Sequence, residues 1–117
     1  MKNINTFSHA KCLKNNDPRK EKYRQQRKER GFDDSELWLL DYTIISFTLP
    51  RLKVFKEYTQ SYPVYKDDKI VIETYEQWQA AIEKMIVAME KYLVNSWDEE
   101  AVEGIDLFLK LFRELWS

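Results

Sequence analysis

The sequence predicts an all-α protein, for two reasons of composition and one of periodicity. Two glycines and three prolines in 117 residues are too few for the many turns of a β-sandwich. The hydrophobic fraction of 44% favours a folded core over disorder. Three stretches place apolar residues at the three- and four-residue spacing of an amphipathic helix. We therefore predict a compact bundle of three main helices preceded by a basic N-terminal helical arm.

The arm is predicted from the distribution of charge. Residues 1–30 carry ten Lys or Arg and three Asp or Glu, whereas residues 31–117 carry nine and seventeen. Such asymmetry is typical of an interaction arm, so we predict an arm over 1–30 and a bundle domain over 31–117. Asp17 and Pro18 fit the N-cap and first position of a helix. Because Tyr23 is the only apolar residue in 18–30, we expect ionic contacts, not burial, to order this helix.

The first main helix is predicted to begin near residue 34. Asp33 and Glu36 have the spacing of a capping box, and Gly31 suits the end of the preceding helix. Apolar residues extend beyond one face, so we expect coverage on two sides. Pro50 predicts a kink or short break before the helix continues to about residue 60. The main inward stripe is predicted to be Leu37, Leu40, Ile44 and Phe47.

The rest of the chain predicts a short connection and two more helices. Residues 64–72 flank a turn-like KDDK and allow a short hairpin. Thr74 with Gln77 fits a second capping box, and Asp98 fits the cap of the last helix. The stripe predicted for the second main helix is Trp78, Ile82, Met85, Met89 and Tyr92.

The last helix carries more apolar surface than one covered side requires. Its predicted stripe is Val102, Ile105, Leu109, Phe112 and Trp116. Either the helix lies deep in the bundle, or part of it meets another chain and supports an oligomer. The candidate interface residues are Leu107, Leu111 and Trp116.

The basic run from Lys11 to Arg30 is the main candidate binding surface. Its cations could neutralise phosphates, and Tyr23 could stack on a base or sugar. The same face could grip an acidic protein groove, lie on the acidic body of this protein, or be solvated. These alternatives remain open from the sequence. The candidate residues are Arg19, Lys20, Tyr23, Arg24, Arg27, Lys28 and Arg30.

Two pairs of carboxylates suggest an enzyme as an alternative. Glu73 with Glu76 and Glu103 with Asp106 resemble the metal-binding carboxylates of all-α nucleoside triphosphate pyrophosphohydrolases of the MazG type. Carboxylates three residues apart share a helical face and could hold Mg²⁺ against phosphates. The pattern covers four residues of an acidic chain, so we expect no catalysis, no metal and no cofactor.

The cellular compartment is predicted from what the chain lacks. A single cysteine, Cys12, excludes an internal disulfide framework and fits a reducing compartment. No apolar run reaches the roughly 18 residues of a membrane span, and the polar N-terminus has no signal-peptide core. We expect a soluble cytoplasmic protein.

A family resemblance suggests a biological context. The run GFDDSELWLLDYTIISFTLPRLKVFKE, together with GIDLFLKLFRELW, resembles a family of small phage and prophage proteins. The matching residues are Gly31, Phe32, Trp38, Leu40, Asp41, Pro50, Arg51, Leu52 and Phe55. The resemblance implies a phage context and no particular activity. We therefore expect a non-enzymatic binding protein that modulates or inhibits a host protein or nucleoprotein complex, such as an anti-CRISPR-like inhibitor. Direct nucleic-acid binding through the arm is the alternative.

Overall fold

A computed structural model describes residues 7–116, and this part of the chain forms four α-helices and one two-stranded sheet. The helices are α1 Pro18–Arg30, α2 Leu40–Tyr58, α3 Tyr75–Val94 and α4 Glu99–Lys110. The strands are β1 Tyr65–Lys66 and β2 Val71–Ile72, and short 3₁₀ helices span Ala10–Cys12, Asp34–Leu37 and Phe112–Glu114. The predicted all-α class and the hairpin within 64–72 are confirmed.

Contacts divide the chain into two units, Met1–Phe47 and Thr48–Ser117. The division falls inside α2. Helix α1 therefore shares a unit with the residues that follow it, whereas the prediction placed a boundary between residues 30 and 31. We call Met1–Phe47 the N-terminal unit and Thr48–Ser117 the C-terminal unit.

Local capping sets the helix ends in the N-terminal unit. The Asp17 carboxylate accepts from the Arg19 amide at 2.9 Å, and Pro18 occupies the first turn of α1. Gly31 ends α1 with a φ of 88°, a left-handed conformation that glycine adopts without steric cost. The predicted capping box is present, since Asp33 caps the next turn and Glu36 accepts from the Asp33 amide at 2.7 Å. It begins the 3₁₀ helix Asp34–Leu37, and α2 follows only from Leu40.

Helix α2 differs from its prediction in two respects. It runs unbroken through Pro50, so the predicted break is wrong, while a bend in its axis stays a prediction. Its buried face is Ile45, Leu49 and Leu52, at the spacing of four and three. The stripe predicted to face inward is instead half-exposed at Leu37, Leu40, Ile44 and Phe47. Both stripes satisfy helical periodicity, so the pattern alone could not decide which one is covered.

The C-terminal unit begins with the end of α2 and the hairpin. Tyr65 pairs with Ile72 and Lys66 with Val71 in an antiparallel register. The Asp67 carboxylate holds the turn by accepting from two backbone amides at 2.7–2.8 Å, those of Lys69 and Ile70. A two-stranded hairpin of this size is marginal unless it packs on other elements, and β2 contacts α3 through the fully buried Ile72.

Helix α3 supplies most of the core of the C-terminal unit. The predicted capping box of Thr74 and Gln77 is present. The predicted stripe is buried at four of its five positions, and Tyr92 is half-buried. The buried residues of α3 are Trp78, Ile82, Met85, Ile86, Ala88 and Met89.

Helices α3 and α4 pack closely because small residues meet between them. The buried residues of α4 are Ala101 and Gly104, and a Cβ on Gly104 would lie 2.2 Å from Ala88 Cβ. Of the two alternatives that the sequence left open, the helix does not lie deep in the bundle, because most of its predicted stripe is exposed; contact with another chain stays a prediction. Small residues allow the two backbones to approach closely, which leaves larger neighbours on the outside. The exposed members of the predicted stripe are Val102, Leu109, Phe112 and Trp116.

In the described part of the chain, none of the helices combines the length and the apolar character that a membrane span requires.

Candidate binding groove in the N-terminal unit

A buried carboxylate organises the N-terminal unit. Asp33 has no exposed surface, and its two oxygens accept from three side chains. Ser8 Oγ and Arg27 Nη1 each lie 2.5 Å from Asp33 Oδ2, and Ser35 Oγ donates to Asp33 Oδ1. The Ser35 amide also donates to Oδ1 at 2.8 Å. We call Ser8, Arg27, Asp33 and Ser35 the Asp33 cluster; it joins residues 7–16, which we call the lead segment, to α1 and the second 3₁₀ helix.

The hydrogen bonds of the Asp33 cluster keep its carboxylate ionised. Burial by itself raises the pKa of Asp33, because it removes water from the charged form. Hydrogen bonds from Ser35, Ser8 and Arg27 outweigh that effect, and the pKa of Asp33 lies below its usual value. The Arg27 side chain is 18% exposed, so this ion pair is largely withdrawn from solvent. A buried carboxylate with a matched cation and two hydroxyl donors is satisfied.

Aromatic contacts also join these segments of the chain. The His9 ring stacks on Trp38 with centroids 5.8 Å apart, and the Tyr23 ring meets Trp38 edge-on at 6.0 Å. Tyr23 is only 5% exposed. The Tyr23 ring is occupied by this contact with Trp38, and its stacking on a base or sugar stays a prediction. The expectation that ionic contacts and not burial order residues 18–30 holds for the Arg27–Asp33 pair but not for Tyr23, whose ring is buried.

A groove lies between the lead segment and α1. Its volume is about 390 Å³, and its lining residues are Ser8, Ala10, Lys11, Lys20, Glu21, Arg24 and Arg27. Four of these residues are cationic and one is anionic. Lys20, Arg24 and Arg27 share one face of α1, because they are spaced by four and three residues. We call this feature the basic groove.

The ion pairs of α1 separate the predicted binding residues into two groups. Arg19 pairs with Asp17 at 2.8 Å, Arg24 with Glu21 at 2.6 Å and Arg30 with Asp34 at 2.6 Å. These pairs lie along or next to one helix, and the three arginine side chains stay 41–71% exposed. In contrast, Lys11, Lys20 and Lys28 make no ion pair with any residue in the described range 7–116.

The groove therefore brings together only part of the predicted set. Lys20, Arg24 and Arg27 line it, together with Lys11 from the start of the basic run. Arg19, Lys28 and Arg30 are not among its lining residues, and Tyr23 is buried. Sequence reasoning missed Ser8 and the Asp33 cluster. Their separation of 25 residues gives no local signal, although an acidic N-cap beside a basic helix is a hint of an ion pair.

The carboxylates proposed for a metal site do not come together. Among residues 7–116, no three His, Cys, Asp or Glu side chains lie close enough to share an ion. Glu73, Glu76, Glu103 and Asp106 all lie in that range. The four carboxylates therefore do not converge on one Mg²⁺ in the described chain, since Glu73 precedes α3 and spacing along the chain does not make two segments present their carboxylates to one point.

Only two of the three residues predicted to form an interface near the last helix are accessible to a partner. Leu111 is fully buried and cannot meet a partner in this structure, whereas Trp116 is exposed and Leu107 is half-buried. Leu111 lies just past α4, where the chain turns into the 3₁₀ helix Phe112–Glu114. An oligomer formed through this region stays a prediction that would rest on Trp116 and Leu107.

Comparisons of this chain with protein families, with curated proteins and with solved structures found no match. The resemblance to phage and prophage proteins therefore stays a prediction.

Proposed function

We propose that this protein is a non-enzymatic, phage-encoded binding protein that modulates or inhibits a host protein or nucleoprotein complex in the host cytoplasm. Inhibition of a host defence complex, as anti-CRISPR proteins do, is the form of action we propose to test first. The phage context rests on the resemblance of the run from Gly31 to Glu57. The binding role rests on the surface of the N-terminal unit.

A single observation carries the binding role: an apolar surface left open in the N-terminal unit. Four consecutive large apolar residues and two more along α2 are each about half-exposed. Residues 40, 44 and 47 follow one face of α2, so the exposed side chains are neighbours in space. Contiguous exposed apolar surface marks protein interaction sites in folded proteins. We call these residues the apolar strip: Leu37, Trp38, Leu39, Leu40, Ile44 and Phe47.

The charges of the same unit favour an anionic partner. Lys11 and Lys20 line the basic groove and make no ion pair with a carboxylate of the described chain, although Asp17 lies near enough to Lys20 to feel its charge. Apolar contacts supply most binding energy at an interface, while complementary charge raises the association rate and the specificity. A host protein with an acidic surface, or a nucleoprotein complex, provides both apolar contacts and negative charge.

Capture from host lysate, with and without nuclease, tests this proposal. Leu40→Gln/Ile44→Gln changes the apolar strip, and Val54→Gln changes a somewhat more exposed apolar residue elsewhere on α2. We expect the double variant to weaken binding of the captured host component at least about tenfold, in line with loss of an interface anchor. The Val54→Gln variant should bind like the wild type. Complexes that persist after nuclease treatment identify a protein partner.

Two outcomes would contradict the proposal. Undiminished binding by Leu40→Gln/Ile44→Gln, with its helical content preserved, would show that the apolar strip is not the contact surface. A large loss of helical content in the same variant would show that Leu40 and Ile44 serve the protein's own packing. Val54→Gln controls for the effect of placing an exposed amide on α2.

A further inference from the structure

We infer that the basic groove is a binding site for a phosphate group. The inference rests on the proposed function only in placing binding on the N-terminal unit, and it names the chemistry of one ligand there. The volume of about 390 Å³ lies within the range of about 300–1,000 Å³ typical of small-ligand sites. The groove is therefore large enough for a phosphate together with the group that carries it.

The first support is unmatched charge. Lys11 and Lys20 line the groove and make no ion pair with any residue in the range 7–116. The Lys20 ammonium donates to a neutral acceptor, Asn15 Oδ1, at 3.2 Å. It can keep that bond and still donate to an anion, because an ammonium has three protons.

The second support is the donor capacity of the two arginines. Arg27 is fixed through Nη1, which donates to Asp33 and to Ser8 Oγ at 3.1 Å. Its Nε and Nη2 make no hydrogen bond within the described chain, although the side chain lines the groove. Arg24 uses Nε and Nη2 on Glu21 and retains Nη1. Planar guanidinium groups with open donors match phosphate oxygens.

The Asp33 cluster gives this site its rigidity. An arginine held by a buried carboxylate loses little further side-chain entropy when it binds a ligand. Asp33 itself is buried behind Arg27 and is not among the lining residues. Glu21 is the one carboxylate in the lining, and it opposes an anion both by charge and by occupying Arg24.

Substitutions of Lys20 and Glu21 test the inference, because they should change the phosphate affinity in opposite directions. The probe is inorganic phosphate, titrated into the full chain against sodium chloride at equal ionic strength. Two-dimensional ¹H–¹⁵N spectra follow the backbone and the Nε–H signals of Arg24 and Arg27. We expect saturable shifts at these two signals. Lys20→Gln should weaken binding about fivefold, because it removes one partly exposed ionic contact. Glu21→Gln should tighten binding severalfold.

Lys28→Gln is the matched control, since Lys28 is an α1 lysine without an ion pair in the described chain and outside the groove lining. It should leave phosphate affinity unchanged. An equal loss of phosphate affinity in Lys28→Gln and Lys20→Gln would overturn the inference, because it would show that phosphate is attracted to the overall charge of α1 and not to the basic groove. Variants of Arg27 are avoided, since that residue also holds the fold.

A ten-nucleotide oligothymidylate distinguishes the source of the phosphate. Shifts of the same arginine signals, reversed by inorganic phosphate, would assign the groove to a nucleic-acid backbone. Shifts with inorganic phosphate alone would assign it to a small phosphate compound. Absence of saturable shifts with both probes would overturn the inference. That failure would leave the apolar-strip experiment unaffected, because binding there is measured through Leu40 and Ile44.

Discussion

Replacing Asp33 by Asn should destabilise the N-terminal unit by about 3 kcal/mol. The substitution keeps the shape of the side chain and removes the charge that Arg27 faces. Removing one partner of a buried ion pair costs about 3–5 kcal/mol, because the remaining charge is left buried without a counterion. Arg27 is 18% exposed and can recover some hydration, which places the expected cost at the lower end of that range.

The measurement combines global and local readouts. Urea unfolding followed by circular dichroism gives the free energy of unfolding. Amide hydrogen exchange gives the opening of the N-terminal unit alone. The most informative amides are those of His9, which donates to Ser35 Oγ at 2.8 Å, and Ser35, which donates to Asp33 Oδ1 at 2.8 Å. Both should exchange faster in Asp33→Asn.

The adjacent aspartate provides the control. Asp34 makes ion pairs with Arg30 and Lys22, but its side chain is 39% exposed, so water screens its interactions. Asp34→Asn should therefore be far less destabilising than Asp33→Asn. Equal effects at the two positions, or unchanged exchange of the Ser35 amide in Asp33→Asn, would refute the argument that the Asp33 cluster holds the unit together.

Three further results are expected. Because hydrogen bonds lower the pKa of folded Asp33, its stabilising contribution should be fully present above the unfolded pKa of about 3.9 and lost as the pH falls through the lower folded pKa. Acid titration of the unfolding free energy should thus show the difference between wild type and Asp33→Asn shrinking below about pH 4; a constant difference would contradict this. Gly104→Ala should lower the free energy of unfolding by about 1–3 kcal/mol, because the added methyl group would lie 2.2 Å from Ala88 Cβ. A melting temperature equal to that of the wild type would contradict this, since it would show that α3 and α4 move apart without cost. Trp78 is fully buried, and its indole N–H has no acceptor within the described chain. Trp78→Ala should therefore lower the free energy of unfolding by about 3–5 kcal/mol, whereas Trp78→Phe, which keeps an aromatic ring and loses no hydrogen bond, should lower it much less. Calorimetry of both variants measures the difference.

The starts of α1, α3 and α4 could be read from the sequence because each depends on residues within one turn. Asp17 before Pro18 caps α1, and the pair Thr74 and Gln77 begins α3. A cap is a bond between a side chain and an amide two or three residues away, so its partners are fixed by the local chain. The same holds for Gly31, whose left-handed conformation ends α1.

The basic character of the N-terminal unit was also visible in the sequence, but the geometry of the basic groove was not. Cations concentrate in residues 1–30 whatever the fold. Which of them face a common groove depends on where the lead segment lies against α1. The burial of Tyr23 and the role of Arg27 followed from contacts with Trp38 and Asp33, which flank the 3₁₀ helix Asp34–Leu37.

Only the tertiary structure decided which apolar faces are covered. Helix α2 carries two stripes with correct helical spacing, and burial selects the one with Ile45 and Leu49. On α4, the close approach of Gly104 to Ala88 places small residues inward and leaves large ones such as Leu109 outside. Periodicity describes a single helix, whereas burial depends on which surfaces of distant segments fit together at close-packed density. The Asp33 cluster has the same origin, because Ser8 and Asp33 meet only after the chain between them has folded.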